Sequence, residues 1–188
     1  MQLTDLVHDH LSQQLKPGDY ALDATAGNGY DSTVMATLVG PEGRIIAIDI
    51  QASAIDTTRT RLKAADCLVQ ADLLVADHSQ ALASLCSTYA QTMSAITFNL
   101  GYLPGSDKTI QTEPESTLGA LRAASDLLKS DGLLLVVAYR GHDGGQTEAT
   151  QVADWMQTIQ ERGWTVKSHE PIVTGRRVPP ILWVARKA

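Results

Sequence analysis

Short apolar runs and helix-like stretches alternate along almost the whole chain, and that alternation admits few folds. Apolar runs occupy Tyr20–Leu22, Arg44–Asp49, Leu73–Ala76, Ser94–Leu100 and Leu133–Tyr139. Each is followed by helix-like sequence, at residues 31–38, 51–65, 77–89, 115–129 and 146–162. Leu118, Leu121 and Leu128 turn inward on the fourth of these stretches, and Val152, Trp155, Met156 and Ile159 share a face of the last. Strands separated by helices pair in parallel, so the expected core is a parallel sheet with helices on both faces. Residues 164–168 and 181–185 add two strands with no long helix between them. They are expected as an antiparallel edge hairpin, completing a seven-stranded, mostly parallel sheet. Upstream, Leu3, Leu6, Val7, Leu11 and Leu15 recur at helical spacing, so residues 2–15 form an amphipathic helix that ends at Lys16-Pro17-Gly18 and covers a sheet edge or the ligand site. Ligands of such sheets lie beyond the carboxyl ends of the strands, where the loops after Asp23, Asp49, Ala76, Leu100 and Tyr139 converge.

The first of these loops is the most specific. Tyr20-Ala-Leu-Asp23-Ala-Thr25-Ala-Gly27-Asn28-Gly29 reads as a strand that turns sharply on glycines into a helix starting near Tyr30. Asp49 ends the next strand, where acidic residues accept both hydroxyls of an adenosine ribose. A nicotinamide-binding loop requires G-x-G-x-x-G, but Ser32 stands where its third glycine should be. Asp23, Thr25, Gly27 and Gly29 instead fall at alternate positions, which resembles the D-x-G-x-G-x-G signature of class I S-adenosylmethionine methyltransferases, with Thr25 in place of the first glycine. A carboxylate at Asp23 repels a pyrophosphate and suits an ammonium or sulfonium. The expected cofactor contacts are Asp23, Thr25, Gly27, Asn28, Gly29, Asp31 and Ser32 from this loop, and Asp49, Ile50 and Gln51 after the second strand. Asp77 and His78 follow the third strand, where they can serve adenine or cap the next helix.

A second signal is Ala95-Ile-Thr-Phe-Asn99-Leu-Gly-Tyr102-Leu-Pro104-Gly105. An apolar strand ending in Asn, with an aromatic residue three positions on, resembles the (Asp/Asn)-Pro-Pro-(Tyr/Phe) motif of amino-group methyltransferases, with Leu100-Gly101 replacing the two prolines. In that motif the amide accepts hydrogen bonds from an amine and the ring stacks on a base. Asn99 is therefore assigned to catalysis with Tyr102 and also to the cofactor site. Tyr139-Arg140-Gly141-His142-Asp143-Gly144-Gly145 follows the fifth strand and offers His142 as general base. A sulfonium donor is already activated, but an alkyl amine is mostly protonated near neutral pH and must lose a proton to attack.

Composition narrows the rest. At 188 residues, with 44% hydrophobic and 19% charged residues, the chain is expected to form one globular domain over residues 1–188. No apolar stretch is long enough to span a membrane and the N-terminus lacks a signal-peptide pattern, so a cytoplasmic location is expected. Cys67 and Cys86 have no metal-ligand spacing and are read as packing thiols, with no metal expected. A net charge of −6 disfavours nucleic-acid binding over the whole surface, although Arg140, Arg176, Arg177, Arg186 and Lys187 cluster late in the sequence and can form a local basic patch.

Taken with Asp31, Asp49-Ile-Gln51, Asn99-Leu-Gly-Tyr-Leu-Pro-Gly-Ser-Asp-Lys-Thr109, Gly141-His142 and Pro179-Pro180, the loop motif resembles the small bacterial family of rRNA methylases, whose members include tRNA 5-aminomethyl-2-thiouridine methyltransferases. The resemblance implies a Rossmann-like class I methyltransferase fold. It also implies that S-adenosylmethionine is converted to S-adenosylhomocysteine and that a wobble-uridine aminomethyl group is methylated, with the tRNA anticodon region as partner. The family usually has His at the Arg140 position and an Asn/Gln-rich run where this chain has Thr174-Gly-Arg-Arg-Val178. Lys108, Arg140, Arg176 and Arg177 are the candidate RNA contacts. Rival readings are methylation of rRNA or a small-molecule amine, and a non-catalytic S-adenosylmethionine-binding subunit. A nicotinamide oxidoreductase is opposed by Ser32 and Asp23. A homodimer is allowed by the sequence, which sets no oligomeric state.

Overall fold

The computed structural model of the chain describes residues 3–103, 105, 111–171 and 178–188. Helix α1 (Leu3–Gln14) precedes β1 (Tyr20–Asp23) and α2 (Tyr30–Val39). Then come β2 (Arg44–Asp49), α3 (Ala52–Ala64), a single 3-10 turn at Leu68–Gln70 and β3 (Ala71–Val75). Helix α4 (His78–Tyr89), β4 (Met93–Leu100), α5 (Pro114–Leu127) and β5 (Leu128–Ala138) continue the alternation. It ends with α6 (Gly145–Glu161), β6 (Thr165–His169) and β7 (Ile181–Arg186).

Among the described residues these strands form one seven-stranded sheet in the order β3-β2-β1-β4-β5-β7-β6. The first five pair in parallel, while β7 runs antiparallel to both β5 and β6. The hairpin therefore joins the sheet through its second strand. Strand order reverses between β1 and β4, so the loops leaving these neighbours diverge and open a crevice at their carboxyl ends.

Side chains alternate across the sheet and build two cores. Leu22, Ile46, Ile96, Leu134 and Val136 face α4, α5 and α6, where Leu82, Leu121, Val152 and Met156 meet them. Ala21, Ile45, Ala95, Leu133, Leu135 and Val137 face the opposite layer, against Val7, Leu11, Met35, Val39 and Leu62 from α1, α2 and α3. Each fully buried Leu or Ile in these layers contributes roughly 1.5–3 kcal/mol. Helix α1 packs on a sheet face, touching β4, β5 and α2, rather than along an edge.

The boundary between the fourth helix and the fifth strand differs most from expectation. The fourth helix ends at Leu127, so Leu128 and Lys129 belong to β5 rather than to α5. Leu128 pairs with Met93 and the next register pair is Ala95 with Leu133, leaving residues 129–132 looped out with Asp131 at φ 60°. Lys187 closes the loop-out from β7, donating its backbone N–H to Gly132 O at 3.0 Å and accepting from Asp131 N at 3.1 Å.

Candidate active site

The loop from β1 to α2 is fastened on three sides. Ala26 N donates to Ile48 O at 2.8 Å, and Gly27 N donates to the Asp49 carboxylate at 2.9 Å. From α3, Thr58 Oγ1 reaches Gly27 O at 3.2 Å and Arg61 Nε reaches Asn28 O at 2.8 Å. The guanidinium of Arg61 also stacks over Tyr30, 3.8 Å from the ring centroid. Gly29 caps α2 at φ 77°, and a Cβ there would lie 2.8 Å from Thr58 Cα, so the α2–α3 approach requires glycine. Thr25 has its own use: its hydroxyl accepts the Asn99 backbone N–H at 2.7 Å and ties the loop to the end of β4.

Asp23 and Asp31 divide the work expected of one carboxylate. Asp23 is fully buried beneath the loop, accepting from Ser32 Oγ at 2.6 Å, Thr25 N at 3.3 Å and Thr97 Oγ1 at 3.4 Å. Burial, and then the neighbouring Asp31 charge, push its pKa up to about 7. Asp23, Gly29 and Ser32 therefore support the loop without lining the cavity above it, whereas Thr25, Gly27, Asn28 and Asp31 do line it.

That cavity has a volume of about 880 Å³ and gathers the loops after β1, β2, β3, β4 and β5. Asp49, Ile50, Gln51, Asp77 and His78 line one part. The Asp49 carboxylate accepts from Gly27 N and Gln51 N, each at 2.9 Å, which leaves each oxygen a lone pair for a further donor. Asp77 caps α4 by accepting from Gln80 N at 3.1 Å and takes Ser116 Oγ at 2.7 Å on its other oxygen, so the capping role holds. Burial alone would raise its pKa, but these donors outweigh burial and hold it below the usual carboxylate range. His78 is 8% exposed and burial lowers its pKa, so it is neutral near pH 7. Its Nε2 is buried without a hydrogen-bond partner among the described residues. A carboxylate at a strand end, an orphaned imidazole nitrogen and a glycine loop open to close approach fit the ribose, base and amino-acid portions of an adenosyl cofactor.

Asn99, Tyr102 and His142 share the same cavity. Asn99 Nδ2 donates to Asp31 Oδ2 at 2.8 Å, and among the described residues Oδ1 accepts nothing. The Tyr102 and His142 rings meet edge to face, with centroids 5.8 Å apart and an interplanar angle of 85°. His142 Nδ1 lies 3.0 Å from Asp143 O, which can only accept, so Nδ1 carries the proton and Nε2 the lone pair. That Nε2 is buried and unpartnered among the described residues. The ring is held against the backbone of Gly145, where a Cβ would come within 2.7 Å of Nε2.

Arg140 also lines the cavity, but its side chain is engaged. Nε donates to Pro179 O at 2.8 Å and Nη2 pairs with Glu170, which ties the loop after β5 to the segment before β7. Lys108, Arg176 and Arg177 lie outside the described residues. Two contributors were not anticipated. His8 of α1 bonds Asp31, and Glu148 of α6, 2% exposed, accepts from Thr112 Oγ1 at 2.8 Å and Thr117 Oγ1 at 2.6 Å. Thr112 in turn accepts Gly101 N at 2.8 Å, so Glu148 anchors the segment that carries Tyr102. His8 lies within the helical pattern of α1, and nothing in the local sequence marks either pairing. Among the described residues no group of three or more His, Cys, Asp or Glu is placed to hold a metal, and no helix is long and apolar enough to cross a membrane.

Residues 45–186 match the sequence pattern of the family described as "Putative rRNA methylase". The chloroplastic tRNA (mnm5s2U34)-methyltransferase of Arabidopsis thaliana is 35% identical over 172 residues, which cover 86% of this chain and 61% of the plant protein. This chain thus spans under two thirds of that relative's length. A "putative rRNA-methylase" from Clostridium thermocellum, solved by crystallography, superposes with a TM-score of 0.88 at 32% identity, covering 97% of this chain and 96% of its own. A "putative methyltransferase" from Streptococcus mutans, crystallised with S-adenosylhomocysteine, gives a TM-score of 0.86 at 28% identity over 100% of this chain and 99% of its own.

Proposed function

This chain belongs to the rRNA methylase family, and we propose that it N-methylates the 5-aminomethyl group of a tRNA wobble 2-thiouridine, giving 5-methylaminomethyl-2-thiouridine. The enzyme class is S-adenosylmethionine-dependent methyl transfer to RNA, and the wobble assignment is supported by the plant relative's named activity. The cofactor, when bound, supplies a methyl group on a sulfonium that needs no further activation. Thr25, Gly27, Asn28 and Asp31 of the first loop, with Asp49, Ile50, Gln51, Asp77 and His78, are assigned to hold it.

The observation that carries the reading is the Asn99 amide. Asp31 fixes its NH2 group and leaves Oδ1 as an acceptor in the cavity wall, the polarity an amine substrate needs. Tyr102 offers a ring face for the uracil, and its edge contact with His142 sets both rings. His142, which lines the cavity, is assigned to take the proton that the substrate ammonium must lose before its nitrogen can attack, for which the ring must turn Nε2 away from Gly145. Alignment by Asn99 and Tyr102 supplies most of the acceleration.

The test is purified protein, methyl-labelled S-adenosylmethionine and tRNA carrying the aminomethyl nucleoside. Labelled 5-methylaminomethyl-2-thiouridine is expected in the nucleoside digest. Label on rRNA or on a small amine instead, with none in this nucleoside, would overturn the substrate assignment.

A further inference from the structure

A histidine outside the cavity reaches the site through a carboxylate. His8 Nε2 lies 2.8 Å from Asp31 Oδ1, and the other Asp31 oxygen holds Asn99 Nδ2 at 2.8 Å. His8 is absent from the cavity lining, although its neighbours Leu3, Thr4 and Val7 are part of it. The helix is placed by Val7 and Leu11, both buried against the sheet and α2. Three elements far apart in sequence thus join in one hydrogen-bonded chain running from α1 through α2 to the end of β4.

The chain matters because an amide side chain has nearly the same shape with its oxygen and nitrogen exchanged. Packing cannot choose between the two orientations, but a hydrogen-bond partner can. Asp31 is a pure acceptor while ionised, so Asn99 must turn its NH2 toward it and its oxygen away. That holds only while the carboxylate keeps its place. Asp31 is a short side chain in the first turn of α2, 8% exposed, and its Oδ1 has no partner besides His8 among the described residues. Without His8 the carboxylate can rotate toward the cavity or recruit water, and the amide is then free to invert. An inverted Asn99 would present a donor to a substrate that is itself a donor.

We propose that His8 is a positioning residue for methyl transfer, acting through Asp31 to lock the Asn99 amide with its oxygen toward the amine. The role of Asn99 rests on the function proposed above, whereas the lock itself can be tested without substrate.

The experiment uses the whole chain as wild type, His8→Ala and His8→Gln, the last because a glutamine amide nitrogen reaches about where imidazole Nε2 does. The Asn99 side-chain amide signal, identified by its loss in Asn99→Asp, is followed by 15N NMR for exchange with solvent. Slow exchange is expected in wild type and His8→Gln, and exchange at least about tenfold faster in His8→Ala, matching loss of a charge-assisted hydrogen bond. On aminomethyl tRNA, His8→Ala is expected to lose about tenfold in kcat, with the KM for S-adenosylmethionine within about twofold and most of the loss recovered in His8→Gln. Should His8→Ala loosen α1, His8→Leu keeps the side-chain bulk and tests the same point. Unchanged Asn99 exchange in the Ala and Leu variants overturns the proposal whatever their activity, as does a loss confined to cofactor KM. A wild type that shows the exchange contrast yet leaves this tRNA unmethylated overturns the substrate reading alone.

Discussion

The buried Asp23 makes the stability of the fold depend on pH. Its pKa is raised from 3.8 to about 7 by burial and the Asp31 charge. Between these values the folded protein keeps a proton that the unfolded chain has released. Stability is therefore fully present below about pH 4 and declines as pH rises toward about pH 7, by roughly 1.4 kcal/mol per unit and about 4 kcal/mol in total. Asp23→Asn removes the titration and keeps the shape. The asparagine oxygen still accepts from Thr25 N and Thr97 Oγ1, while its NH2 replaces the oxygen that Ser32 now donates to. Below about pH 4 the wild-type carboxyl is protonated in both the folded and the unfolded chain and resembles the amide, so the two proteins should be of similar stability there. At about pH 8 the variant should be more stable by about 4 kcal/mol, of which about 3 kcal/mol develops above about pH 5. Urea unfolding of both proteins at several pH values reads the difference and cancels every group the two share. Parallel stability curves, with no divergence between about pH 5 and pH 8, would refute the argument that Asp23 is held uncharged by its surroundings.

Other substitutions probe the remaining parts of the site. Gly29→Ala should cost at least about 2 kcal/mol in thermal unfolding, because a Cβ 2.8 Å from Thr58 Cα and a left-handed backbone both oppose it. Glu148→Ala should destabilise by roughly 1–3 kcal/mol in urea unfolding, since Thr112 and Thr117 each lose a buried acceptor, and it should lower kcat/KM by loosening the Thr112–Gly101 contact beside Tyr102. His142→Ala should lower kcat by about 10²–10⁴-fold, whereas an unchanged kcat would assign proton removal to solvent. Binding of tRNA should weaken steeply as salt is raised, measured by filter retention, and a salt-insensitive KM would favour a small neutral substrate.

The parallel part of the sheet was readable because its strands are short apolar runs bounded by turn residues, and Arg44–Asp49 is reproduced residue for residue. The start of β5 was not. Leu128 continues the helical apolar spacing of α5, and only its pairing with Met93 and the loop-out around Asp131 show that the chain has already become strand. In the site, Asn99, Asp49, Asp77 and His78 could be placed because strand ends point into the crevice. Spacing along the β1 loop could not tell which carboxylate faces the cavity, since that depends on whether the residue lies before the glycine turn or on the first turn of α2. The His8–Asp31 and Glu148–Thr112 pairs join residues 23 and 36 positions apart on separately packed elements, so they follow from helix placement and from no local pattern.

The position of α1 also puts a clock on assembly. The last of the elements it packs against, β5, ends at Ala138, 130 residues after His8 (138 − 8). At roughly 5–20 residues per second, the apolar face of α1 waits on the order of ten seconds for the whole of its docking surface. Over that interval the part of the α1 face that β5 will cover is open to chaperones, and the cavity wall that α1 supplies lacks its full support. The growing chain therefore acquires a complete site only in a late step, after β5 has joined the sheet.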